Sequence, residues 1–372
     1  MMKKILSVVM TITLLLGMSV SSFADDLTVG SSAIGEEKGI FILTDAVPQG
    51  ASEYAKMIFE NLTIDDLSIL GICGEEELLL SLGFTVENTE VPIYYFPIMW
   101  GNDIEGMVIV IDTENGYKAQ VETGNFARNL NNLKTDISHP ARIIATGHAY
   151  YAIDKSGLQV LDISLEATEE MLKEDKQMIF SEKKNENTGE ILSVSNKNTY
   201  DVHILPQSYA TYENRYVVAL VENRTEDGKG VCWAACSGAL IDYYEDGKDD
   251  SSHAENLREK FIKDKKNETG DVIGGTADIK RYAKEYCNLT LQTVKKLTWN
   301  EVKGQKRPIY THWERSGGAH AMVLEGYKQS TSGNIKQMFI MDPNKKNKIL
   351  IDYDGAYNSD GRIYQWTKAV TD

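Results

Sequence analysis

The stretch "GKGVCWAACSGALIDYY", residues 228–244, carries the strongest fold signal in the chain. Two glycines permit a tight loop before Cys232, and the apolar residues after it, among them Ala235, Leu240 and Ile241, have helical spacing. We therefore predict a buried helix that begins at Cys232. A thiol at a helix N-terminus lies beside N–H groups without intrahelical partners, and their partial positive charge favours the thiolate. The same N–H groups can donate to an oxyanion.

A nucleophilic thiol needs a general base, and the base needs an acceptor that orients it. Among the six histidines, His320 stands out because it follows the flexible "SGG" and begins the strand-like run "HAMVLEGY". Asp342 ends the next strand-like run, "KQMFIMD". Adjacent antiparallel strands would bring His320 and Asp342 to the same end of a sheet. This arrangement makes Cys232, His320 and Asp342 candidate catalytic residues.

The other cysteines are scattered and show neither a disulfide framework nor the paired spacing of a zinc site. Cys236 lies one helical turn after Cys232 and is predicted to be a buried core thiol, although a disulfide with Cys287 is an open alternative. Cys73 is expected to be an unpaired core thiol. The acidic run at 242–250 lacks the spacing of a calcium loop, so we predict no metal and no cofactor.

The chain begins like an exported protein. Lys3 and Lys4 precede an apolar run, and Ser22 and Ala24 occupy the small-residue positions of a cleavage site. We predict a signal peptide over residues 1–24, a secreted mature protein, and no membrane association after cleavage, because no later run reaches the ~18 apolar residues of a span. The formal net charge of -16 also disfavours binding to nucleic acid.

The remaining sequence predicts an α+β protein in two parts. Residues 25–180 form a smaller α+β unit, with helical spacing at 52–61 and 75–82 followed by hairpin signals. Residues 181–201 are polar without an apolar period, which is typical of a linker. Residues 202–372 place helices first and an antiparallel sheet after them.

The motifs "GVCWAAC", "GGAHAMVLEGY" and "MFIMDPN" together resemble the papain-like cysteine peptidases, in particular the bacterial secreted and effector branches whose triad ends in Asp-Pro. The resemblance covers about residues 200–370. It implies helices packed on an antiparallel sheet, with Cys232 as nucleophile, His320 as base and Asp342 as orienter. Asn344 is a second candidate for the orienting role. The implied substrate is a protein or peptide.

The resemblance also implies a glutamine, as an oxyanion donor, about six residues before the nucleophile. This chain has Glu226 there, and an ionised carboxylate donates no hydrogen bond. Asn223 carries the required amide and is the candidate oxyanion donor. The order of the two parts also resembles that of papain-like zymogens. This resemblance implies that residues 25–180 are a prodomain that blocks the cleft, and that 181–201 are its processing region.

Two other functions compete with a secreted cysteine endopeptidase. A transglutaminase-like or peptidoglycan-amidase enzyme would use the same thiol chemistry in the same order of Cys, His and Asp. A catalytically inactive exported binding protein on a peptidase fold would explain Glu226.

Overall fold

The computed structural model describes residues 39–72, 78–164, 167–181, 189–202, 204, 210–213, 217–223, 229–247, 249–330, 332–345 and 348–372. The predicted signal peptide, Cys73, Glu226 and residues 182–188 of the predicted linker lie outside these ranges. Within them, no helix is both long enough and apolar enough to cross a membrane.

Helices in the described ranges are short to medium in length, and the three longest of the C-terminal half follow one another directly. They are α1 (Gln49–Glu60), α2 (Ile64–Leu70), α3 (Asn125–Leu130), α4 (Glu169–Ser181), α5 (Cys232–Asp246), α6 (Ser251–Thr269), α7 (Thr276–Cys287) and α8 (Trp299–Gly304).

The strands are β1 (Ile40–Thr44), β2 (Leu78–Leu80), β3 (Phe84–Thr85), β4 (Ile93–Trp100), β5 (Asp103–Thr113), β6 (Gly116–Glu122), β7 (Arg142–Ala145), β8 (Ala149–Asp154), β9 (Gly157–Ile163), β10 (Glu190–Val194), β11 (Ala210–Glu213), β12 (Gln292–Lys295), β13 (Ile309–Arg315), β14 (Gly318–Ser330), β15 (Lys336–Met341), β16 (Ile349–Asp352), β17 (Tyr357–Ser359) and β18 (Arg362–Thr371). The mixed α+β fold with helices on an antiparallel sheet is confirmed. The helix predicted at 75–82 is wrong over Leu78–Leu80, because this short apolar run pairs as a strand with β4.

One large antiparallel sheet runs through both halves of the sequence. Its main order is β12-β18-β13-β14-β15-β16-β6-β5-β4-β2, and every pairing along it is antiparallel. The junction lies between β16 and β6, where Leu350 pairs with Val121 and Ile351 with Gln120. Residues Gly39–Asp372 accordingly form one compact unit.

Helix α5 packs closely on α6 and on the sheet because its buried face is built from small side chains. Ala234, Ala235, Cys236 and Ala239 are all fully buried. A Cβ at Gly238 would approach the carbonyl oxygen of Ala254 in α6 to 2.5 Å, so only glycine fits this crossing. The helix that begins at Cys232 is thereby held rigidly against the sheet.

The N-terminal part, residues 39–202, shares a hydrophobic core with the C-terminal part, which begins at residue 210. Phe59 of α1 and Phe96 of β4 belong to the same buried cluster as Phe339 of β15 and Leu350 of β16. Buried polar contacts join the same two parts: Lys328 with Asp66, Lys345 with Glu122, and Tyr54 with Asp352. The two parts therefore pack as one body. The prediction of an exposed linker over 181–201 is wrong at Glu190–Val194, because this run pairs as strand β10 with β1 and buries Val194 in the core.

The buried carboxyl group of Asp352 lies between the two parts of the chain, and we predict that it makes the free energy of unfolding depend on pH. Burial raises its pKa from 3.8 to about 6, although the Tyr54 hydroxyl and the Ala119 N–H donate to its carboxylate. Because the folded-state pKa is raised, this contribution to stability is complete below pH ~4 and is lost as pH rises through ~6, a change of about 3 kcal/mol.

Urea unfolding of wild type and Asp352→Asn across this pH window checks this prediction. The neutral asparagine keeps an acceptor oxygen, so the stability of the variant relative to wild type is expected to rise with pH. Identical pH profiles for the two proteins would refute it.

Candidate active site

Cys232 is the first residue of α5 and borders an open cleft. Its position is set by Val231, whose carbonyl accepts from the N–H groups of Ala234 and Ala235. Cys232 is largely buried, 8% exposed, and contributes to the lining of the cleft. The first turn of the helix lies beneath it, as the sequence predicted.

Trp233, the residue after the cysteine, anchors this helix end. Its indole Nε1 donates to the carbonyl of Val272 at 2.9 Å, and its ring is buried. A Cβ at Gly274 would come within 2.5 Å of that ring, so the glycine permits the loop before α7 to pass over the tryptophan. Trp233 therefore has a packing role beside the cleft.

His320 and Asp342 meet at one end of the sheet, as their strand positions predicted. His320 is near the start of β14, and Asp342 directly follows its antiparallel neighbour β15. The imidazole Nε2–H donates to Oδ1 of Asp342 at 2.7 Å, and both side chains are buried. The backbone N–H of Asn344 donates to the same oxygen at 2.9 Å.

His320 and Asp342 each favour the charged form of the other. Burial alone would lower the pKa of His320, but the Asp342 carboxylate and the Cys232 side chain raise it well above its usual value. Burial would raise the pKa of Asp342, but His320, the Tyr357 hydroxyl and the Asn344 N–H hold it below its usual value. Asp342 is therefore an anion and stabilises the protonated form of the imidazole.

Two aromatic rings that the sequence did not single out cover the imidazole. Tyr357 stacks on His320 with ring centroids 5.8 Å apart, and Tyr364 meets it edge-on at 6.0 Å. The Tyr357 hydroxyl also donates to Oδ2 of Asp342. In the sequence these two tyrosines belong to a tyrosine-rich C-terminal segment. That composition predicts strands and does not by itself indicate a functional site.

Asn223 is fully buried and ties the loop before the nucleophile to the loop after Asp342. Its side-chain oxygen accepts from the N–H of Val231 at 2.8 Å, and its amide nitrogen donates to Oδ1 of Asn344 at 2.8 Å. Its own N–H donates to the carbonyl of Pro343 at 2.7 Å. The side chain of Asn344 is thus directed to Asn223, whereas Asp342 is the carboxylate bonded to His320.

The cleft beside Cys232 has a volume of about 390 Å³. Its described lining comes from the C-terminal part alone: Lys229, Gly230, Cys232, Trp233, Ile273, Gly274, Tyr310, His312, Gly317, Gly318, Ala319, His320 and Ala321. Four of these residues, Gly230, Gly274, Gly317 and Gly318, contribute no side chain to the lining.

The remaining described cysteines are free thiols away from the cleft lining. Cys236 is fully buried, and burial raises its pKa well above the usual value. Burial also raises the pKa of Cys287 to about 11. The alternative disulfide between them is not formed. In the part of the chain that the structure describes, no cluster of His, Cys, Asp or Glu is arranged to hold a metal ion.

The thiol at a helix start, with the imidazole and carboxylate at one end of the sheet, resembles the arrangement of the papain-like cysteine peptidases. Comparison with protein-family models agrees: residues 213–352 match the family described as papain-like cysteine protease AvrRpt2. The matched segment contains Cys232, His320 and Asp342. The match supports the interpretation of this segment as a papain-like cysteine protease, a hydrolase of peptide bonds. A search of the curated proteins found no match.

Proposed function

We propose that the chain is an exported cysteine endopeptidase that uses Cys232 as nucleophile, His320 as general acid and base, and Asp342 as the group that orients His320. The observation that carries the proposal is the buried His320–Asp342 hydrogen bond of 2.7 Å, beside a thiol that begins a helix. Such a nucleophile, base and orienting acceptor are the requirements of thiol-based acyl transfer.

In the proposed mechanism the two ring nitrogens of His320 have different tasks. Nε2 is hydrogen-bonded to Asp342, so the other ring nitrogen, Nδ1, exchanges the proton with Cys232. The thiolate attacks the peptide carbonyl carbon and forms a C–S bond, and His320 then gives its proton to the leaving amine as the C–N bond breaks. Water, deprotonated by the same nitrogen, attacks the thioester, releases the carboxylic acid and restores the thiol.

The oxyanion of each tetrahedral intermediate needs donors near the start of α5. We assign the main donation to the backbone N–H groups at this helix end, because they point out of the first turn beside Cys232. Asn223 is the side-chain candidate. Its side-chain oxygen accepts from the N–H of Val231, the residue before the nucleophile.

Peptide hydrolysis and active-site labelling together test the proposal. Wild-type protein should cleave denatured casein at neutral pH, and an epoxide inhibitor should stop cleavage while adding its mass to Cys232 in a peptide map. Transfer of the acyl group to an added amine in place of water would instead favour a transglutaminase-like enzyme. Failure of Cys232 to react would favour the inactive binding protein.

We also propose export through residues 1–24 and processing within 181–201. The support is the composition of these two segments. Inhibition by an N-terminal prodomain, implied by the resemblance, stays a prediction. The described cleft lining comes from residues 229–321, whereas the sheet pairing between the two parts is that of β6 with β16.

Protein recovered from culture medium is expected to begin near Asp25, and a cut within 181–201 is expected to leave two fragments that stay together. The shared core, the β16–β6 pairing and the buried ion pairs hold them. N-terminal sequencing identifies the first residue of each fragment, and gel filtration tests whether the two fragments stay associated. Separation of the fragments with a rise in activity would instead establish an inhibitory prodomain.

A further inference from the structure

Tyr357 contacts both members of the His320–Asp342 pair. Its hydroxyl donates to Oδ2 of Asp342, the carboxylate oxygen opposite the one that accepts from His320. Its ring stacks on the imidazole, with the two planes only 18° from parallel. Because Tyr357 is fully buried, its own position is determined by whatever holds its strand.

The strand that carries Tyr357 pairs with β18 and is also hydrogen-bonded to the N-terminal part of the chain. Asn358, the next residue, bonds twice to Gln120 of β6. The N–H of Asn358 donates to Oε1 of Gln120 at 3.1 Å, and Nε2 of Gln120 donates to the Asn358 carbonyl at 3.4 Å. Gln120 is itself fully buried, so the contact is shielded from water.

A second contact comes from β8 of the same N-terminal part. The Tyr150 hydroxyl accepts from Nδ2 of Asn358 and from the N–H of Gly361, both at 3.1 Å. Tyr95 of β4 hydrogen-bonds to Tyr150 at 2.9 Å and accepts from Asn358 at 3.3 Å. Asn358, just before the turn between β17 and β18, is therefore hydrogen-bonded to residues of two strands, 208 and 263 positions away in sequence.

We infer that Tyr357 is a positioning residue for the Asp342–His320 pair, and that residues 39–202 hold it in place. The inference rests on the proposed function, because it concerns the same pair. A carboxylate that accepts from fixed donors on both oxygens holds the imidazole in one tautomer and one orientation. The N-terminal part then supports catalysis through its hydrogen bonds to Asn358 and Gly361.

Tyr357→Phe in the full-length protein tests the first half of the inference. The ring remains but the donor to Asp342 is lost, so we expect kcat to fall about 10-fold with KM nearly unchanged. The acid limb of the pH–kcat profile is expected to move to higher pH, because the anion of Asp342 has lost a hydrogen bond. Tyr353→Phe is the matched control, since its hydroxyl donates to the Leu297 carbonyl outside the site.

Tyr150→Phe tests the second half, with Tyr151→Phe as its control on the same strand. The Tyr150 hydroxyl reaches Asn358 and Gly361, whereas that of Tyr151 bonds to Asp175. We expect Tyr150→Phe to lower kcat about threefold and Tyr151→Phe to leave it unchanged. Equal effects of the two changes would overturn the role of the N-terminal part.

The titration of His320, followed by NMR of histidine-labelled protein, separates this inference from the proposed function. Tyr357→Phe is expected to shift that titration beyond any shift in Tyr353→Phe. A wild type that cleaves no peptide would defeat the proposed function, and the NMR shift would still establish the positioning role. Unchanged titration and unchanged kcat in Tyr357→Phe would overturn the inference.

Discussion

Cys232→Ala is expected to abolish peptide hydrolysis, with a loss of at least about 10⁴-fold in kcat/KM, and to leave the fold intact. The loss is large because the nucleophile, base and orienting group act as one unit, so removing the nucleophile removes the acyl-enzyme route entirely. Stability should change little, since Cys232 lies at a helix start with an open cleft on one side.

Two variants complete this experiment, and a fluorogenic peptide assay with thermal unfolding measures both activity and folding. His320→Ala should be as inactive as Cys232→Ala, and the double variant no worse than either single one. Cys287→Ala is the control for loss of a thiol, because Cys287 is a half-buried free cysteine outside the cleft lining. Activity that survives in Cys232→Ala would exclude the proposed nucleophile.

Lys328→Met is expected to destabilise the protein by about 3–5 kcal/mol, because it leaves the buried carboxylate of Asp66 without its cation. Lys328 and Asp66 are both completely buried and form an ion pair of 2.5 Å between β14 and α2. Lys328 also donates to the carbonyl of Asn61. Burial lowers the pKa of Lys328, and Asp66 opposes that shift.

Urea unfolding of three variants separates the ion pair from the loss of a long side chain. Lys328→Met combined with Asp66→Asn should recover much of the stability, since no buried charge is left alone. Lys260→Met removes the lysine of the solvent-exposed pair with Asp264 and should change stability by no more than about 0.5 kcal/mol. A Lys328→Met effect as small as that of Lys260→Met would show that the junction contributes little.

The candidate site was predictable where local signals determine position. The loop glycines and the apolar spacing after Cys232 identified a helix start, and that helix begins at Cys232. The runs ending at Asp342 and beginning at His320 identified neighbouring strands, whose antiparallel pairing brings the two side chains together. The sequence favoured Asp342 as the orienting residue but kept Asn344 as a second candidate, because the final choice depends on side-chain direction after the strand.

The short run Leu78–Leu80 shows where local signals fail. Three leucines fit a buried helix face and a buried strand equally well, and pairing with β4 decides for the strand. The same limit applies to Tyr357. Nothing near it in sequence indicates that it donates to Asp342, because its position depends on Gln120 and Tyr150.

The sequence by itself determined the fold class and the candidate site: an α+β fold, a thiol at a helix start, and a histidine and an aspartate on successive strands. Only the tertiary structure decided how the two parts of the chain relate. The sheet continues from β16 into β6, and Lys328 forms an ion pair with Asp66, which is 262 positions away in sequence. Periodicity reports which residues are buried, but pairing between distant segments depends on the packing of the whole chain, which no local pattern contains.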